Sequence, residues 1–131
     1  MAILRAKLPN LDLYNQNRAR AAAFYDEALA SVKWLETPKR SAQSTHVFNQ
    51  YTLKLKEGVN RDSLRNYSSD VGIPSMIYYL VPLKLQRANK SPLYPAGHFS
   101  ITEKLSKTVL SLPMHRKLDE TQLYYITQTI Q

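Results

Sequence analysis

A chain of 131 residues with 44% hydrophobic and 21% charged residues has the length of one compact domain and an ordinary globular composition, which excludes a disordered or fibrous protein. It contains no cysteine, so a disulfide framework, a thiolate zinc site and a thiol nucleophile are excluded. The net charge of +8 favours anionic partners, yet acids lie among the bases in most segments, the exception being residues 71–102, where Lys84, Arg87 and Lys90 meet no carboxylate.

A solvated basic surface accounts for most of these charges. No apolar run approaches the ~18 residues of a membrane span, and "MAILRAKLPNL" lacks the long apolar core of a signal peptide. The expectation is a cytoplasmic protein with no membrane partner.

The first segment carries apolar or small residues at Leu11, Tyr14, Ala21, Tyr25 and Leu29, the spacing of one helical face. Pro9 breaks the helix there, because it removes an N–H and clashes with the preceding turn. A short piece before it and a long helix after it are expected. "SVKWLETP" reads as a short strand stopped by Pro38, and "KRSAQST" as a loop. "HVFNQYTLKL" sets Val47, Tyr51, Leu53 and Leu55 on one face against Gln50, Thr52 and Lys54 on the other. That is the period of a half-buried strand, and the intervening loop allows an antiparallel pair.

Asn60 is a candidate N-cap, with Val59 and Leu64 placed as a hydrophobic staple. The helix face runs through Leu64, Tyr67 and Val71 and stops at Gly72 and Pro74. In "GIPSMIYYLVPLKLQ", Met76, Tyr78 and Leu80 alternate with Ile77, Tyr79 and Val81. Both faces are apolar, so the pattern predicts a third strand, covered on each side. After the proline-bearing loop "RANKSPLYPAGH", Ser100 and Glu103 have the spacing of a capping box. Ile101, Leu105, Val109 and Leu112 continue as a helical stripe ended by Pro113. The same grammar recurs at Asp119 and Gln122, with Leu118 and Leu123 as staple and Ile126 and Ile130 on the stripe.

The fold expected is therefore α/β of the α+β kind: a small, mostly antiparallel sheet of about three strands packed with about four helices.

Chemistry is harder to find. His46, His98 and His115 have no second ligand at a metal-binding spacing. Ser111 and His115 are separated by Pro113, which disrupts a helix that would align them. The adjacent acids Asp26 and Glu27, and Asp119 and Glu120, point to different sides of a helix, and no glycine cluster forms a phosphate loop. What remains is the tyrosine segment and its exit. Tyr78 and Tyr79 beside Lys84, Arg87 and Lys90 are able to stack a base or sugar and hold a phosphate, or else are large residues of a covered strand.

Taken together, "HVFNQYTLKL", "GIPSMIYYLVPLKLQRA" and "TEKLSKTVLSLPMHRKLDETQLYYI" resemble the C-terminal small domain of the DegT-type nucleotide-sugar aminotransferases, which use pyridoxal phosphate and have fold type I. "AILRAKLPNLDLYNQNRARAAAFYDEAL" resembles the helix leading into that domain. The resemblance implies a single domain over residues 1–131, with residues 1–30 as linking helix, residues 31–131 as the α/β domain, and the large cofactor-binding domain absent. It implies an activity, transfer of an amino group from glutamate to a nucleotide-linked keto-sugar for surface polysaccharide, that this piece does not perform alone. In the family the cofactor is held as a Schiff base by a lysine of the large domain, and no lysine here lies in such a motif, so none is expected bound to this chain by itself.

The family's enzymes are homodimers. By resemblance Tyr78 and Tyr79 border the nucleotide sugar, and Lys84 faces its phosphates or solvent. Leu80 and Lys84 stand where the family pattern has proline and histidine. No residue of this chain is expected to be catalytic. The alternative is a basic module binding RNA or nucleotides on the tyrosines, or a structural assembly domain. Nucleic acid is the less favoured partner.

Overall fold

The computed structural model describes residues 2–131. Pro9 breaks the first segment as expected. Helix α1 (Ala2–Lys7) gives way to a 3-10 turn over Leu8–Asn10, and α2 (Leu11–Leu29) follows. Only the second half of α2 is buried, through Ala21, Ala22, Tyr25 and Leu29, and this stripe packs on the last helix. Cation–π and amide contacts extend the attachment toward the helix start. The Arg116 guanidinium lies 4.1 Å from the centre of the Tyr14 ring, and the Asn17 amide donates to the Arg116 carbonyl. The second half of α2 therefore contributes to the same core as the sheet.

Strand β1 (Leu35–Glu36) pairs antiparallel with β2 (Tyr51–Leu55), Leu35 opposite Leu55. In β2, Tyr51, Leu53 and Leu55 are buried while Lys54 faces solvent, as the period of two requires. The strand starts later than its sequence pattern suggests. Val47 is exposed, and Phe48 is buried instead at φ +45°. A residue in that left-handed region turns the chain and breaks the alternation.

Helix α3 (Arg61–Asp70) is capped as predicted, with the Asn60 side chain accepting from Ser63 N–H at 3.0 Å. Its other end is a Schellman closure. Ile73 N–H donates to Ser68 C=O at 2.8 Å and Gly72 N–H to Ser69 C=O at 3.0 Å, with Gly72 at the φ of +80° that the motif requires. Leu64 and Val71 pack on the core, but Tyr67 points outward.

The third strand is not where the alternation placed it. Residues 76–81 form no strand, and only Met76 bridges the sheet, exchanging backbone hydrogen bonds with Ser111 at 3.0 and 2.7 Å. The open edge of β2 is taken instead by β3 (Val109–Leu112), in register Tyr51 with Leu112 and Leu53 with Leu110. The stripe read as one helix over residues 101–112 is thus a helix α4 (Ser100–Thr108) joined directly to β3. Two forces make the switch. A four-residue ladder satisfies the backbone of β2, and the Arg61 guanidinium binds the Ser106 carbonyl in the last turn of α4.

The predicted Ser100–Glu103 capping box does not form either. Phe99 holds the cap position without a side-chain bond, and the Glu103 carboxylate reaches further back, to Gly97 N–H. The second box does form at the start of α5 (Glu120–Ile130). Asp119 Oδ1 accepts from Gln122 N–H at 2.8 Å, and Gln122 Oε1 accepts from Asp119 N–H at 3.3 Å.

The result is a three-stranded antiparallel sheet in order β1-β2-β3 with α2 and α5 over its inner face. Tyr25 and Tyr51 meet there, ring centres 4.9 Å apart. The Tyr25 hydroxyl donates to the Pro113 carbonyl at 2.9 Å, and the Tyr51 hydroxyl to Asp26 Oδ1 at 2.7 Å. Burial holds both phenols above their ordinary pKa, and for Tyr51 the bond to the Asp26 carboxylate adds to it.

Candidate functional site

The outer side of β3 and the start of α4 carry the tyrosine segment. After its bridge at Met76 the chain leaves the sheet and runs through two short 3-10 turns, Leu83–Leu85 and Arg87–Asn89. Pro82 is one cause: it has no N–H to give to a ladder. Tyr78 and Tyr79 are joined by a cis peptide bond, and their rings meet edge to face, centres 6.2 Å apart.

Tyr78 stands between two grooves. One, of about 230 Å³, lies between Asn49 and Gln50 before β2, Met76, and Ser111 and His115 around the end of β3. The other, of about 320 Å³, has Tyr78, Tyr79, Pro82 and Leu83 on one wall and Thr102 and Leu105 of α4 on the other. No charged side chain lines either groove among the described residues. Tyr79 is 73% exposed and Tyr78 39%, so both rings offer free faces. Rings of this kind stack flat groups at roughly 1–3 kcal/mol per base.

Lys84 sits apart from these grooves. Its ammonium pairs with Glu103 Oε1, donates to the Pro95 carbonyl at 3.0 Å and lies 4.8 Å from the centre of the Phe99 ring. Its side chain is only 11% exposed. The Glu103 carboxyl is held below the usual carboxylate range, first by the hydrogen bond from Lys84 and, against some desolvation, also by the Gly97 N–H. Arg87 and Lys90 are exposed and line neither groove.

Each histidine has a local partner. His46 Nδ1 accepts from Phe48 N–H and His115 Nδ1 from Lys117 N–H, while His98 packs edge-on against Phe99 at 5.0 Å. No cluster of three metal-ligating side chains occurs among the described residues.

Asn49, Gln50 and His115 are groove residues that local pattern did not reveal. They reach Tyr78 only because β2 and β3 pair with Tyr51 opposite Leu112, and a single sequence does not state that register.

A pyridoxal phosphate site calls for a lysine to bind the cofactor, cationic or N–H groups for its phosphate, and a carboxylate for the ring nitrogen. The grooves beside Tyr78 supply none of the charged groups. Elsewhere Lys54 is paired with Glu36, Lys84 with Glu103, and Asp26 with Arg40 and Tyr51. At the tyrosine grooves the residues present do not fit the cofactor.

Residues 1–131 match the family model described as the DegT/DnrJ/EryC1/StrS aminotransferase family. The chain is 38% identical to the pleiotropic regulatory protein of Geobacillus stearothermophilus, covering 98% of this chain and 34% of that protein. It is 38% identical to the UDP-N-acetyl-3-dehydro-alpha-D-glucosamine 3-aminotransferase of Acidithiobacillus ferrooxidans, covering 98% and 33%. Among solved structures, S. venezuelae DesV superposes with a TM-score of 0.90 at 29% identity, over 98% of this chain and 34% of that one. An aminotransferase from Brucella abortus superposes at 0.85 and 35%, over 98% and 33%. The chain spans about a third of the length of the proteins it matches.

Proposed function

The chain belongs to the DegT/DnrJ/EryC1/StrS aminotransferase family, and from that premise we propose that it is the small-domain portion of a nucleotide-sugar aminotransferase, providing an aromatic wall of the substrate pocket. One observation carries the reading: the fold agrees with DesV over 98% of this chain but only 34% of that one, and the tyrosine grooves of the matched third hold no donor set for the cofactor.

In this reading the cofactor supplies the electron sink for moving an amino group from glutamate to a keto-sugar, on a part of the family architecture outside this chain. Tyr78 and Tyr79 present their rings to the base or sugar and exclude water from one side. The uncharged groove leaves the pyrophosphate to be neutralised elsewhere. Lys84 serves the site indirectly, through its tie to Glu103. Division at residue 30 into a linking helix and an α/β domain is retained for the chain's path, with the reservation that α2 already packs in the core. A homodimer, a cytoplasmic location and a product destined for surface polysaccharide complete the proposal.

A nucleic-acid platform is the weaker reading, because Lys84 is occupied by Glu103 and the tyrosines stand in no row of free cations. No helix among the described residues is long and apolar enough to cross a membrane.

The test is chemical. The chain is incubated with pyridoxal phosphate, reduced with borohydride and mapped by peptide mass. Scattered, substoichiometric lysine labelling is expected. A stoichiometric adduct on one lysine, with its own absorbance band, overturns the assignment of cofactor chemistry to another portion.

A further inference from the structure

We propose that Glu103 is a positioning residue: by binding Lys84 and Gly97 N–H together, it sets the separation of the two walls of the tyrosine groove. The inference rests on the pocket-wall reading only for what the groove holds.

Lys84 follows Leu83 on the wall that carries the tyrosines, and Glu103 follows Thr102 on the α4 wall. Their ion pair therefore ties the chain segments of the two walls together from outside the groove, which neither side chain lines. The Glu103 carboxylate also accepts from Gly97 N–H with both oxygens, at 2.8 and 2.9 Å. Lys84 adds the Pro95 carbonyl and the Phe99 ring. One carboxylate thus gathers three points of the chain, residues 84, 97 and 103.

Little else holds this segment. It contains no strand, its remaining backbone bonds are those of single turns, and most of its residues are exposed. The pair itself is well shielded, with side-chain exposures of 11% and 20%, so salt screens it less than an open surface pair. Gly97, at φ +88°, lets the backbone turn its N–H toward the carboxylate, in a conformation that other residues rarely adopt. Removing the charge of Glu103 leaves the Lys84 ammonium sheltered without a counter-charge, an arrangement that relaxes by opening.

The experiment compares the full chain with Glu103→Gln, Lys84→Met and the charge-preserving Lys84→Arg by amide exchange and by titration with UDP-N-acetylglucosamine. In Glu103→Gln and Lys84→Met, exchange at Leu85, Gly97 and His98 is expected to rise on the order of tenfold, the scale of losing a hydrogen bond to a charged group. Amides of β2 and α5 are expected to stay unchanged, and Lys84→Arg to keep the segment protected. Ligand shifts at Tyr78 and Tyr79 are expected to weaken several-fold in the same two variants and to persist in Lys84→Arg.

Unchanged exchange at Gly97 and His98, or an equal rise in β2 and α5, overturns the positioning role. Exchange that responds as stated while the unaltered chain shows no ligand shifts upholds the tie and overturns the pocket-wall reading instead.

Discussion

Two halves of the molecule hold themselves together in opposite ways. Around the sheet, Tyr25, Leu29, Tyr51, Leu53, Leu112, Leu123, Ile126 and Ile130 are almost wholly buried in one cluster, and its two tyrosine hydroxyls are hydrogen-bonded. Across residues 76–105 the apolar residues Tyr79, Leu80, Leu83, Leu93 and Ile101 are each more than half exposed, and the segment is tied down mainly by the Lys84–Glu103 pair. The first half is complete within this chain. The second exposes contiguous apolar side chains of the kind that soluble domains ordinarily cover.

That contrast makes predictions of graded size. The largest concerns the core: Leu53→Ala, at a site with no exposure, is expected to cost about 3 kcal/mol of unfolding free energy, within the range for a buried leucine, read by urea denaturation. A loss below about 1 kcal/mol would erase the distinction between the halves. Next, Tyr25→Phe keeps the ring but gives up the bond to the Pro113 carbonyl, and is expected to cost about 1 kcal/mol in the same measurement.

Acid sharpens the comparison without breaking the core. Because the Glu103 carboxyl is held below its ordinary value, the tie is fully present above the usual glutamate range and is lost as pH falls through the lowered value. Lys84 faces this carboxylate directly, and Lys56, Glu57, Lys104 and Lys107 line the adjoining surface groove. Amide exchange at Gly97, corrected for its intrinsic pH dependence, is expected to lose protection below the usual glutamate range before β2 does. Simultaneous loss in both would mean that the segment has no separate hold. The smallest effect belongs to Tyr79→Ala, which should change stability by less than about 0.5 kcal/mol, since its ring is 73% exposed. A larger loss would place that ring in the fold's own packing.

The same contrast explains what the sequence disclosed. Caps are local, so Asn60 and the Asp119–Gln122 box could be read from spacing alone, and β2 declared itself through Tyr51, Leu53 and Leu55. The sheet's third strand could not be read that way. Ile101, Leu105, Val109 and Leu112 fit a helical stripe, while residues 76–81 fit a strand. The competition for β2's open edge, decided by tertiary pairing, reversed both. The fold class held because the misassigned elements compensate: β3 supplies the third strand that residues 76–81 do not.

At the site, the tyrosine pair stood out as apolar bulk beside prolines. The rest depended on distant partners: Asn49, Gln50 and His115 arrive through strand register. Lys84 finds Glu103 across a loop whose path no local rule fixes, a pairing that spacing along the chain did not suggest.

The most direct test of the central claim is an NMR titration of the chain with UDP-N-acetylglucosamine. The account predicts shifts concentrated on Tyr78, Tyr79, Leu83 and Leu105, with weak, saturable binding. Shifts confined to another surface, or none at concentrations that saturate a weak site, would contradict it.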